Sequence, residues 1–154
     1  YTYGAFSRFA FRRAPGPFTC AAAIRTDVTA PGVKEFYNDI EGMRTSPVTP
    51  AELKMAKDNI SLSIPGMFET TPELASTTGE LFIYNLPLEY FRSLQGQIDA
   101  VTAADVESVA KKYMKPENMV VITVGDKAKI ESEIQKLNLG PLEELDFEAN
   151  PVKK

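Results

Sequence analysis

Two segments of period two, separated by Ala14-Pro15-Gly16-Pro17, constrain the fold more than anything else in this chain. Between Tyr1 and Arg12 the odd positions carry Tyr1, Tyr3, Ala5, Phe9 and Phe11, and the even ones include Thr2, Arg8 and Arg12. That is the alternation of a half-buried strand. After the proline-glycine break, Phe18, Cys20, Ala22 and Ile24 share one face of a second strand. A long antiparallel hairpin is expected, with one apolar face and one small, basic face.

Helix signals then follow in series. Thr29 is expected to cap a helix with Pro31 in its first turn and Val33, Phe36, Tyr37 and Ile40 as its apolar stripe, ending near Arg44-Thr45. Thr49-Pro50-Ala51-Glu52 reads as a capping box, ahead of Leu53, Ala56, Ile60 and Ile64 on one face. Pro65-Gly66 is expected to end or sharply kink that helix, because proline lacks the amide a helix needs. Thr71-Pro72 opens a third helix with Leu74, Thr78, Leu81 and Phe82 inward, and Leu88 to Gln97 forms a short fourth. Thr102 and Asp105 cap a fifth, with Val106, Val109, Ala110 and Tyr113 buried. The unbroken apolar run Met119 to Val124 reads as a strand covered on both faces or at a sheet centre. Ile130, Ile134 and Leu137 line a last helix, and the polar tail from Gly140 has no firm period.

These elements give an α+β fold, a mostly antiparallel sheet with helices packed on one face. The 154 residues match about one domain, spanning 1–139 with a polar tail at 140–154. Three strands are few for so many helices. With a start at Tyr1 and no leader pattern, the domain is expected to be incomplete at its N-terminus, as a processed chain or a piece of a longer one.

Chemistry is bounded by one count. The chain has no histidine and a single cysteine, Cys20, which excludes a histidine general base, a histidine zinc site and an internal disulfide within it. A net charge of -4 argues against binding nucleic acid through phosphate contacts. No run approaches the roughly 18 apolar residues of a membrane span. The charge is uneven, however. Residues 1–26 hold Arg8, Arg12, Arg13 and Arg25 and no acid, and five of the fifteen aromatic residues lie in the first eleven positions. Arginine forks and aromatic area make the hairpin the best contact surface, with Arg8 and Arg12 as candidate substrate-binding residues. The alternative is an ordinary hairpin with one solvated face and one core face. Glu143, Glu144, Asp146 and Glu148 cluster near the end, but nothing there desolvates them enough to make an acid catalyst.

Several segments in order resemble the pitrilysin/insulinase-type zinc metallopeptidases, the inverzincin family that includes the mitochondrial processing peptidase. They are Tyr1-Thr2-Tyr3-Gly4-Ala5-Phe6-Ser7, Ala14-Pro15-Gly16-Pro17-Phe18, Thr49-Pro50-Ala51-Glu52-Leu53 and Leu86-Pro87-Leu88-Glu89-Tyr90-Phe91. Val101-Thr102-Ala103-Ala104-Asp105-Val106 and Val121-Ile122-Thr123-Val124-Gly125-Asp126 complete the set. The resemblance implies two similar α+β halves around a peptide chamber, with the zinc motif H-x-x-E-H in the first half. This chain resembles the second, non-zinc half, inert alone. The family's second half contributes an arginine and, seven residues later, a tyrosine that hold substrate near the zinc. The tyrosine matches Tyr3; the arginine would precede Tyr1. Strict alternation sets Tyr3 with Phe9 and Phe11, so either a bulge near Gly4 shifts the register or that face lines the chamber. An ordinary strand tyrosine is the plain alternative.

The resemblance therefore implies the C-terminal substrate-binding half of a zinc metalloendopeptidase acting on peptides. Zinc is expected in a fused half or a partner subunit, and a periplasmic or exported location is favoured over a cytoplasmic one. The competing readings are a non-catalytic structural or assembly homologue and a module that binds peptides by strand addition.

Overall fold

Gly16 turns the chain so tightly that a methyl group there would lie 1.7 Å from the Ala10 carbonyl oxygen. Ala10 N–H donates to Pro17 O (2.9 Å) at the same place, closing the hairpin. The structure, a computed structural model, describes residues 2–152, with side chains of the first strand from Gly4 onward. Strands β1 (Thr2–Phe9) and β2 (Phe18–Ile24) pair antiparallel. Ala5, Ser7 and Phe9 stand opposite Ala22, Cys20 and Phe18, and the Phe9 and Phe18 rings meet at 4.6 Å. Phe6 and Arg8 face Ala21 and Thr19 across the other side.

Among the described residues six α-helices follow: α1 (Thr29–Thr45), α2 (Pro50–Ser63), α3 (Thr71–Ile83), α4 (Tyr90–Ala100), α5 (Ala103–Tyr113) and α6 (Lys127–Lys136). Helix α1 is central, touching β2, α5 and α6. Its Ala30, Val33 and Ile40 are buried, as are Ala110 of α5 and Ile130 of α6. A second group forms around the 3-10 turn Pro65–Phe68, which packs on α2 and α3. There the buried Thr77 donates to Met67 O (3.0 Å), and Phe68 meets Phe91 edge-on at 5.4 Å. Lys57 donates to the Asp99 carbonyl (2.7 Å), tying α2 to α4.

The helix caps form where their residues dictate. Thr49 and Glu52 close a reciprocal box at α2, and Thr102 and Asp105 do the same at α5. Thr70 caps α3 by accepting from Glu73 N–H. Thr29 is not a cap: a 3-10 turn, Thr26–Val28, precedes α1, and the Thr29 hydroxyl donates back to Thr26 O (3.0 Å).

The α+β class holds, but the expected mostly antiparallel sheet does not. Helices dominate, and the sheet among the described residues has two strands, β1 and β2. Met119 to Val124 does not become a strand. It runs without regular structure, and Val120, Ile122 and Val124 are 83%, 78% and 96% exposed. A strand exists through neighbours that accept its amides, and this segment has none among the described residues. Several expected core positions are likewise uncovered: Ile60, Leu74, Phe82, Val109 and Tyr113 are exposed. The tail is not featureless, since Asp146 accepts from the Glu148 and Asn150 amides and Leu145 bridges Pro151.

The total accessible surface is 12042 Å² for 17.0 kDa. A compact monomer of that mass exposes about 7,700 Å², so the excess is roughly 4,300 Å². No described helix is long and apolar enough to cross a membrane.

Candidate functional site

The basic, aromatic hairpin is the most distinctive surface. Every described residue of β1 from Gly4 to Phe9 is exposed, including Phe6 and Phe9, and Phe11 follows in the connection. Arg8, Arg12 and Arg13 are exposed and make no ion pair among the described residues. Arg25 differs, because it is paired with Asp27 at 2.6 Å. The free positive charge of the hairpin is thus carried by three arginines near its turn.

Local geometry alters how the candidate residues are grouped. Gly4 has φ +142°, a conformation that side-chain-bearing residues avoid, and the register shifts between Thr2 and Ala5. Thr2 stands opposite Ile24 and Ala5 opposite Ala22, so β1 spends one residue more than β2 over that stretch. This is a bulge of the kind that resets the alternation of a strand. The side chain of Tyr3 lies outside the described residues. At the other end β1 stops at Phe9, so Arg12 sits in the connection and does not continue the row of Arg8 along a strand. Sequence alternation ran too far because the turn begins to bend the chain at Ala10.

One contact was absent from any sequence pattern. Tyr84, just past α3, donates its phenol to Phe11 O (3.0 Å), anchoring the hairpin connection to the helical body. No local signal could have revealed it, since the partners are 73 positions apart.

Histidine is missing from the sequence, Cys20 is the lone thiol, and no three acids or thiols are grouped as ligands among the described residues. Burial pushes the Cys20 thiol up, and Asp39 adds to the effect. In the tail, hydrogen bonds from the Asn150 and Glu148 amides hold the Asp146 carboxyl below its ordinary value.

No family model matches the chain, and no curated protein matches it. Among solved structures, it is similar to the crystal structure of a peptidase M16 inactive domain from Pseudomonas fluorescens, with a TM-score of 0.64 and 24% identity. The match covers 72% of this chain and 26% of that one, so the chain spans about a quarter of its neighbour's length. The likeness establishes a shared fold.

Proposed function

We propose that the chain is the non-catalytic, substrate-binding half of a zinc metallopeptidase that cleaves peptides. The observation that carries this reading is the fold shared with an inactive peptidase domain, taken together with a sequence free of histidine. Zinc would be held by another half, fused or on a partner subunit, and would supply the activated water. This chain's own part is to hold the peptide. The Tyr3 phenol donates to the oxyanion that develops on the scissile carbonyl, and Arg8 and Arg12 bind carbonyl or carboxylate groups of the substrate. The bulge at Gly4 supports a special role for the start of β1, since such irregularities re-aim side chains beside active sites. An exported location accompanies the reading.

Two measurements test it. The reading frame that encodes this chain, or a neighbouring one, should contain H-x-x-E-H; if neither does, the proposal fails. In the complete enzyme, Tyr3→Phe should lower kcat about a hundredfold with little change in KM, the usual effect of losing an oxyanion donor. An unchanged kcat removes that role from Tyr3. The second reading, an assembly homologue without catalysis, draws support from the roughly 4,300 Å² of surplus surface. It predicts no arginine seven residues before Tyr3.

A further inference from the structure

The two faces of the hairpin have different surroundings. Side chains opposite one another in an antiparallel pair share a face, so Ser7, Phe9, Phe18 and Cys20 stand on one and Phe6, Arg8, Thr19 and Ala21 on the other. The first face is turned to the helices. Phe18 lines a cleft of about 330 Å³ with Ile40 of α1, and Ile24 packs so closely on α1 that a methyl group at Gly32 would lie 2.6 Å from its Cδ1. The second face is open: Phe6 is 60% exposed, and Arg8 and Thr19 are exposed as well. Phe6 and Arg8 of β1 stand beside the smaller Ala21 and Thr19 of β2, which makes a step with an aromatic and a cationic wall over a low floor. Three cations here are uncompensated. Arg8, Arg12 and Arg13 make no ion pair among the described residues, and residues 1–26 contain no acid. Asp27 is held by Arg25 at 2.6 Å, and Asp39 acts on Cys20, on the helix side of the sheet.

We propose that the open face of the hairpin binds an extended acidic peptide that carries an apolar side chain two residues from a carboxylate. The proposal rests on the peptide-holding part of the reading above, whose substrate class it names, and not on the zinc or on Tyr3. Phe6 and Arg8 are themselves two residues apart on one face, and an extended peptide laid along the step repeats side chains at that same interval. The Arg8 guanidinium then takes a carboxylate on its fork of donors while Phe6 covers the apolar neighbour, and Arg12 and Arg13 meet further acids toward the turn. Charge decides between a peptide and the larger polyanions. The whole chain is at -4 although residues 1–26 hold four arginines, so the remainder is more acidic still. A short peptide stays within the roughly 8 Å over which the hairpin's charge is felt in physiological salt. A nucleic acid would extend across the acidic remainder, and an anionic membrane calls for clusters of about four to eight basic residues.

The test uses the 154-residue chain and the synthetic peptide acetyl-Glu-Glu-Thr-Leu-Thr-Glu-Glu-amide, in which leucine has a carboxylate two residues away on either side. Binding is measured by calorimetry and mapped by amide chemical shifts. The peptide should bind, with its largest shifts on residues 6–8 and 19–21. Replacing every glutamate with glutamine should weaken binding about tenfold, the worth of a few exposed charge pairs. Raising salt from about 0.05 M to about 0.5 M should remove most of that difference. Arg8→Gln, Arg12→Gln and Arg13→Gln combined should bind the two peptides equally while keeping the helical circular dichroism. Equal binding of the two peptides by the unaltered chain overturns the acidic preference and leaves the peptide-holding role standing. No binding of either at about 1 mM overturns both, whereas a reading frame without H-x-x-E-H would remove the peptidase and not this site. Shifts confined to other residues overturn the placement. Binding of a single-stranded oligonucleotide or phosphatidylserine vesicles at least as tightly as the acidic peptide, abolished in the triple variant, also overturns the proposal, by making another polyanion the occupant.

Discussion

Gly16 has the tightest surroundings of any glycine in the chain, and the atom it meets is backbone, which cannot swing aside. Gly16→Ala should therefore open the connection between β1 and β2 at a cost of about 1–3 kcal/mol. Exchange of the Ala10 amide, which is bonded to Pro17 O in the wild type, would rise in the variant; an unchanged rate would show that the turn relaxes freely. Cys20 invites a second measurement. Its thiol is half-buried and shifted upward by desolvation, with Asp39 adding to the shift, so the thiolate is scarce at neutral pH. Alkylation by iodoacetamide at pH 7 should be slower than that of a free cysteine in a peptide and should match it after unfolding. Single residues were legible in the sequence where the constraint is local, as with the proline-glycine break. Arg8 and Arg12 could be named as exposed cations but not grouped, since the end of a strand depends on the turn that follows it.

Helix starts were the most readable elements, because a capping hydroxyl and an acid three residues on complete each other without help from the rest of the fold. Thr49–Glu52 and Thr102–Asp105 form as read. Each cap has an electrostatic signature: hydrogen bonds from Thr49 hold the Glu52 carboxyl below its ordinary 4.5, and those from Thr102 hold Asp105 below 3.8. A carboxyl lowered in the folded state binds its proton more readily when unfolded, so its stabilisation is complete above the ordinary value and is lost as pH falls through the folded one. The Tm should thus be level from about pH 7 to 5 and decline below about pH 4. Glu52→Gln combined with Asp105→Asn should flatten that decline, and an equally steep decline in the double variant would assign it to other carboxyls. The element that sequence misjudged is 119–124. Its composition is that of a central strand, yet a strand is made by its neighbours, and composition carries no record of whether they are present. Phe82 and Ile60 failed for the same reason: helical periodicity marks a face to be covered, while the covering element must come from elsewhere.

At the scale of the whole molecule, the chain buries about half of the surface its unfolded form would expose, against roughly 70% for a compact domain of this size. The denaturant slope follows the area exposed on unfolding, so the urea m-value should lie about a quarter below the norm for 154 residues. A value at the norm would mean that the chain closes up or associates in solution. Length and composition could state that a core was affordable; they could not say how much of it this stretch of polypeptide completes. The bond from Tyr84 to the Phe11 carbonyl gives the assembly a temporal order. A hairpin closes through local contacts in about 1–10 μs, whereas a contact across 73 positions waits until α3 has been delivered to it. The phenol is then a late latch, fastened after both parts have formed separately. Tyr84→Phe should leave the refolding rate nearly unchanged and accelerate unfolding, the kinetic mark of an interaction made after the transition state.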